Sequence, residues 1–206
     1  MKIEWLGHAC FEITNHAGYT IITDPYDESV GYGVLDRKAD LVSISHHHHD
    51  HDCLSAIKGD PYVTDSEETV EKFGFTLKAI KSFHDDVSGK KRGMNLIRVI
   101  EADGRKVVHL GDLGHSPNEE QLAFIQNADV LLLPVGGFYT IDTQTALSIA
   151  EQAKPKCAVP MHFQNEFCRF PISSEETFAA HTQAVYAKEK VLDVSDMLGA
   201  VVMKCK

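Results

Sequence analysis

The chain is short of positive charge. Twenty Lys and Arg stand against thirty Asp and Glu, a formal net charge of −10 over 206 residues. Binding along a nucleic-acid backbone needs clustered Lys and Arg, so no nucleic-acid partner is expected. A local basic pocket for a small anion stays open. Long apolar runs are also missing. Nothing approaches the ~20 apolar residues of a membrane span, and Glu4 and His8 fall where a secretory signal would be apolar. No membrane contact is expected. Cysteine pairs are lacking as well. Cys10, Cys53, Cys157, Cys168 and Cys205 are an odd, scattered set with no C-x-x-C, which fits free thiols in a reducing compartment. These absences together predict a cytoplasmic protein. No repeat, low-complexity linker or composition break divides the chain, so residues 1–206 read as one domain with a substantial core. At 43% hydrophobic and 24% charged the composition is that of an ordinary globular protein.

What the chain has in excess is histidine in one place. Ser45-His46-His47-His48-His49-Asp50-His51-Asp52 follows the apolar run Leu41-Val42-Ser43-Ile44. Read as H-x-H-x-D-H, it aligns His46, His48, Asp50 and His51. Imidazole nitrogens and a carboxylate oxygen suit Zn²⁺ and other divalent first-row ions. A purification tag would sit at a terminus instead of after a strand-like segment. A His-rich tract that holds metal loosely, without turnover, is the alternative reading.

The first half of the chain reads as hairpins. Residues 3–13 and 19–23 are β-rich around Asn15-His16-Ala17-Gly18, and Asp24-Pro25 ends the second strand. Residues 26–39 read as loop, 41–45 as the strand that delivers the His run, and 53–58 as one helical turn. Strands are expected over 62–64, 68–72 and 75–82, then over 94–102 and 106–110 across Asp103-Gly104. The second half alternates. Ser116-Pro117-Asn118-Glu119 is a capping box opening a helix to about 126. A strand over 130–133, a helix over 142–153 and a strand over 157–159 follow. Ser173-Ser174-Glu175-Glu176 opens a helix to about 188, and strands over 191–194 and 200–203 close the chain. Hairpins followed by alternation favour an α/β sandwich with helices outside a pair of sheets.

Three more polar residues stand directly after expected strands: His84 after Ile80-Lys81-Ser82-Phe83, Asp112 after Val107-Val108-His109-Leu110-Gly111, and His162 after Ala158-Val159-Pro160-Met161. Each alone would read as a capping or solvated side chain. Strand C-termini, however, are where α/β sheets place ligands. With the four residues of the run they make seven groups. Two metals sharing a carboxylate, ~3.5–4 Å apart, need about that many.

His46-x-His48-x-Asp50-His51 with His84, Asp112 and His162 resembles the metal-binding set of the metallo-β-lactamase-fold hydrolases. Trp5-Leu6-Gly7-His8-Ala9-Cys10-Phe11, Ile22-Thr23-Asp24-Pro25, Gly111-Asp112-Leu113-Gly114 and Pro160-Met161-His162-Phe163 resemble, in order, the small single-domain branch of that superfamily, UPF0173 and ascorbate-phosphate-lactonase-like. The resemblance spans essentially the whole chain. It implies a four-layer αββα metallo-β-lactamase sandwich with the site at the edge between the sheets. By position it implies one metal on His46, His48 and His84, a second on Asp50, His51 and His162, and Asp112 bridging them. His47 and His49 would turn away, and Asp24 would support the site loops by hydrogen bonds.

Such a set implies two divalent ions as cofactors, Zn²⁺ first, with Mn²⁺, Fe²⁺ or Ni²⁺ permitted by the same donors. Two dications hold a bridging hydroxide near neutral pH, ready to attack a carbonyl carbon or a phosphorus. Asp50, Asp112 and His8 are then the catalytic candidates, with Asp50 able to shuttle a proton. His8 and His115 are candidate donors to substrate. Tyr139 and Thr140 lie in a loop that Gly136-Gly137 lets approach a ligand. Asp85 and Asp86 are candidate partners for the His84 ring. The expectation is a metal-dependent hydrolase of a small-molecule ester, lactone or phosphate ester. Three alternatives stand beside it. Against a metal-binding protein without turnover weigh the ligands dispersed over separate strands. Against a nuclease or phosphodiesterase weigh the acidic balance and the absence of an RNA-clamping domain. Against a di-iron redox protein weighs a second motif without Glu. The substrate and the oligomeric state are not legible.

Overall fold

The computed structural model describes residues 1–168 and 170–205. The opening segment does not run as one strand. It breaks at Gly7-His8-Ala9 into β1 (Lys2–Gly7) and β2 (Cys10–Thr14), paired antiparallel with Trp5 opposite Phe11. Gly7 turns at φ 120°, and a Cβ there would lie 2.5 Å from the Tyr32 ring, so the turn requires glycine. β3 (Thr20–Thr23) continues the meander, and the chain returns through β4 (Arg37–Lys38) into β5 (Leu41–Ser43), parallel to β3. β6 (Ile57–Lys58) pairs with β4, and β7 (Tyr62–Thr64) lies beside β5.

A second meander follows, built from β8 (Val70–Lys72), β9 (Phe75–Phe83), β10 (Met94–Ala102) and β11 (Arg105–His109). Helices α1 (Glu119–Ile125) and α2 (Thr143–Ala153) carry the chain to the parallel strands β12 (Val130–Pro134) and β13 (Cys157–Met161). After α3 (Glu176–Thr182) come β14 (Val185–Tyr186), β15 (Val191–Asp193) and β16 (Gly199–Val202). The sheets have orders β15-β1-β2-β3-β5-β7 and β14-β16-β13-β12-β11-β10-β9-β8. No helix among the described residues is long and apolar enough to cross a membrane.

Local differences from the sequence reading have physical causes. The first capping box forms two residues late: Asn118 accepts from the Gln121 amide, and Gln121 accepts from the Asn118 amide. The third helix is shorter than expected. It starts without a side-chain cap and stops at Thr182, where Gln183 takes a left-handed conformation. Pairing of Val185 and Tyr186 with β16 claims the residues that would have extended it. The turn expected over 53–58 is a 3₁₀ turn, Leu54–Ala56, followed directly by β6.

The α/β sandwich is the one the resemblance implied, with unequal outer layers. All three α-helices pack toward the eight-stranded sheet. Over the other sheet the outer layer is the 26–58 segment with its one-turn helices and the β4–β6 ribbon. Arg37 of that ribbon reaches Glu4 at 2.6 Å and Glu12 at 3.5 Å, and Ile22 and Val42 on the same face are fully buried. Between the sheets, Ile3, Trp5, Phe11 and Ile13 alternate inward and are buried.

One charged side chain ties the sheets together. Arg98 of β10 is 1% exposed and donates to Ser66 O at 2.7 Å and to Ile44 O and Thr64 O at 3.1 Å. Burial pushes its pKa down to about 10, which leaves it charged at neutral pH. Replacing Arg98 by Met removes these three hydrogen bonds; Thr64 O keeps the Ile44 amide, but Ile44 O loses its guanidinium donor in the interior. The expected loss is about 3 kcal/mol of unfolding free energy, read from the urea midpoint. A change under about 0.5 kcal/mol, as at an ordinary surface site, would contradict this role.

Candidate metal centre

Every polar residue of the site hangs from a strand end. His8 follows β1, Asp24 follows β3 and the 46–51 run follows β5, all in the six-stranded sheet. His84 follows β9, Asp112 follows β11 and His162 follows β13, all in the eight-stranded sheet. Both sheets therefore deliver side chains to one shared edge. His8, Asp24 and His162 take positive φ of 54°, 41° and 51°. Each such residue costs of order 1 kcal/mol or more, and strain of this kind gathers at functional sites.

Asp112 is at the centre. Its Oδ2 lies 3.2 Å from Nε2 of His84 and of His162, 3.3 Å from His51 Nε2 and 4.0 Å from His46 Nε2. Around it the ligating atoms form two main groups, each within 4.8 Å: His46, His48 and His84 on one side, and His8, Asp50, His51 and His162 on the other; Asp24, His46 and His51 form a third that overlaps both. All of these are buried except His48, which is half-buried. His46 Nε2, His51 Nε2 and Asp112 Oδ1 are buried and have no hydrogen-bond partner among the described residues. Leaving such atoms unpaired is costly. Convergent imidazole and carboxylate atoms in a closed pocket are what a divalent ion takes. The residues fit the group.

A supporting layer fixes these side chains. Asp24 accepts from the Ser45 amide at 2.7 Å, from Ser45 Oγ at 2.6 Å and from His51 Nδ1 at 2.9 Å, so both of its oxygens are in use. That bond leaves His51 Nε2 facing Asp112. Asn95 accepts from the Asp112 amide at 2.9 Å and donates to Ser82 Oγ and Leu110 O. Gly111 makes room for it, since a Cβ there would sit 2.2 Å from Asn95 Oδ1. Asn95 was not singled out from the sequence. A buried amide within the apolar strand Met94-Asn95-Leu96-Ile97 was the available signal.

Other candidates fall elsewhere. His47 points outward between Asp52 and Asp65, 3.3 Å from each, and His49 is equally exposed. His8 is fully buried with Nε2 3.1 Å from Asp50 Oδ2, so it reaches the pocket through Asp50. His115 is a correction: its ring accepts from the Phe83 amide and contacts Ser116 O, which makes it a brace for the strand end. Asp85 is another. It accepts four backbone amides, from Val87, Gly89, Lys91 and Arg92, and does not serve the His84 ring. Asp86 pairs with Lys91. Above the Asp112 cluster opens a pocket of about 390 Å³, walled by Arg92, Tyr139 and Phe170. Thr140 faces away from it, bonded to Ile141 O.

Comparison with known proteins agrees with this architecture. A family model described as a beta-lactamase superfamily domain matches residues 2–162. A UPF0173 metal-dependent hydrolase of Thermoplasma acidophilum is 31% identical over 190 residues, covering 79% of this chain and 83% of that one. A solved Thermotoga maritima structure, described as a Zn-dependent hydrolase of the metallo-beta-lactamase superfamily, superposes with a TM-score of 0.80 at 34% identity. It covers 98% of this chain and 97% of its own. Igni18, a metallo hydrolase from Ignicoccus hospitalis, gives a TM-score of 0.69 at 24% identity over 98% and 94% of the two chains, a likeness of fold.

Protonation in the cluster is set by burial and by charge. Burial drives His46 down to about 3 and His8 down to about 4, so both rings are neutral at pH 7 with lone pairs free. Burial opposes charge on Asp50 and Asp112 too, but the His8 hydrogen bond and the rings of His162 and His51 hold these carboxyls below the usual range. His51 is the exception. Burial disfavours its charge, yet Asp112, Asp24 and Asp50 raise its pKa well above that of free histidine. Below pH 6.5 the unfolded chain takes up protons that His8 and His46 refuse when folded, so their burial costs stability as pH falls toward 4. His51 works the other way, its contribution being complete below 6.5 and lost as pH rises through its folded value. Burial lowers His48 and His109 as well, so with four rings against one, chelator-treated protein should show a lower urea midpoint at pH 5 than at pH 7. A flat or rising midpoint would refute this balance.

Proposed function

The chain belongs to the beta-lactamase superfamily and is a metal-dependent hydrolase; we propose that it works through two divalent ions on a small ester, lactone or phosphate ester. The observation that carries this reading is Asp112 Oδ2, within 4.0 Å of imidazoles from both donor groups. On this reading His46, His48 and His84 would hold one ion and Asp50, His51 and His162 the other, with Asp112 within reach of both. When bound, the two ions supply Lewis acidity that brings the pKa of a water toward neutrality and stabilises charge on the departing oxygen.

The chain's own residues do the rest. Asp24 and Ser45 hold His51 and His46 in the tautomers that present Nε2 to the site. Asp50 combines a site-facing oxygen with the His8 bond on that same Oδ2, which keeps it anionic and suits it to accept a hydrogen bond from, and so orient, the attacking water. His8 positions Asp50 and does not touch substrate. A pocket of about 390 Å³ is at the small end of ligand sites, which favours a small molecule over a polymer. A buffer built from the His run alone is disfavoured, because His47 is held outward by Asp52 and Asp65, His49 only lines the pocket mouth, and the donors of the two main groups come from four strand ends.

Elemental analysis of purified protein should find about two divalent ions per chain. On a panel of lactone, phosphodiester and thioester substrates, His48→Ala and Asp112→Ala should each lower kcat/KM by at least about 10²-fold, above the 10–100-fold typical of supporting residues. His47→Ala should change it less than about twofold, as an exposed bystander. Two ions without turnover, or equal damage from His47→Ala and His48→Ala, would sink this reading.

A further inference from the structure

The pocket wall carries one feature that water activation does not use. We infer that Arg92 is the binding group for a carboxylate or phosphate on the substrate, which makes the substrate an anionic ester or lactone; this rests on the hydrolase reading above and narrows it.

Arg92 sits in the same pocket as His84, Asp112 and His162. Its position is fixed from both ends. At the backbone, the Asp85 carboxylate takes the amides of Lys91 and Arg92 at 2.8 Å each. Asp85 directly follows His84, so one turn sets both a site imidazole and this arginine. At the side chain, Nη2 donates to Phe138 O at 3.1 Å, and the guanidinium lies over the Tyr139 ring, 5.5 Å from its centroid. Phe138 itself takes a positive φ of 58° to offer that carbonyl. Among the described residues Arg92 makes no ion pair, whereas its neighbour Lys91 pairs with Asp86. Arg98, the other described arginine without a carboxylate, is buried on three backbone carbonyls, whereas Arg92 lines a pocket.

The chemistry follows from the fork. Guanidinium is permanently charged and presents donors in a plane that matches carboxylate or phosphate oxygens. One Nη2 hydrogen is spent on Phe138 O, and among the described residues Nε and Nη1 make no hydrogen bond. Stacking on Tyr139 limits the rotamer freedom that binding would otherwise cost. The net charge of −10 repels anions at long range, but that field is screened beyond ~8–10 Å at physiological salt. Selection is then left to the local cation. Phe170 and Tyr139 complete an apolar wall beside it. A substrate with its scissile bond over Asp112 and an anionic end on Arg92 uses every group the pocket offers.

The test measures binding by calorimetry on metal-loaded protein. Acetate has one anionic end and probes the metal-facing part of the pocket alone. Succinate and 2-phosphoglycolate have two, and differ in what they can offer Arg92. Wild type should bind at least one of the two-ended acids ten-fold or more tighter than acetate. Arg92→Gln should weaken that acid by ten-fold or more, leave acetate within two-fold and keep the metal content unchanged. Arg92→Lys should recover part of the loss, because the charge returns without the fork. Whichever acid loses more identifies carboxylate or phosphate as the preferred end. Equal effects of Arg92→Gln on acetate and on the two-ended acids would overturn the assignment, as would no effect on any. Failure of wild type to prefer either two-ended acid would overturn it too. Loss of metal, or absence of acetate binding in wild type and variant alike, would count instead against the dinuclear reading.

Discussion

One buried carboxylate oxygen organises this molecule. Asp112 Oδ2 lies within 3.3 Å of three imidazole nitrogens that arrive from three different strand ends, in a space closed to solvent. Packing an anion there is unfavourable unless cations or hydrogen-bond donors surround it. Much of the fold answers that demand. Asn95 takes the Asp112 amide, Gly111 clears space for Asn95, and Asp24 orients His51 against the same oxygen. Both sheets supply donors to this edge, four from the six-stranded sheet and three from the eight-stranded one, and ties such as Arg98 and the His109 bond to Ala9 O hold them together there.

Periodicity and punctuation in the sequence made much of this legible. The strands over 62–64 and 94–102 appear with the expected bounds, and the hairpin at Asp103-Gly104 forms. The residues after strands, His84, Asp112 and His162, converge with His46, His48, Asp50 and His51 on one edge. What failed depended on tertiary context. The opening segment is β-rich on both sides of Gly7, so periodicity did not show that the chain would turn there; the Tyr32 ring against that glycine is a contact across 25 residues. The third helix ends early because β16 competes for its residues. Asp85 looks like a partner for its neighbour His84, but four amides from the following loop claim it first.

The residues that shape the pocket were the least legible of all. Arg92 and Phe170 carry no motif, and their role depends on loops 78 residues apart in the chain meeting over Asp112. A ligand set can be recognised by residue type and spacing because metal chemistry is restrictive. A pocket wall has no comparable code. This is why the water-activating chemistry can be read further than the substrate, and why the unpaired guanidinium of Arg92 carries the extra step.

The central claim is that Asp112 stands between two ions. The most direct measurement is an anomalous difference map from crystals of zinc-loaded protein, collected at the zinc absorption edge. The account predicts two peaks roughly 3.5–4 Å apart, one among His46, His48 and His84 and one among Asp50, His51 and His162, with the Asp112 carboxylate between them. A single peak, or density on His47 and His49 instead, would contradict it.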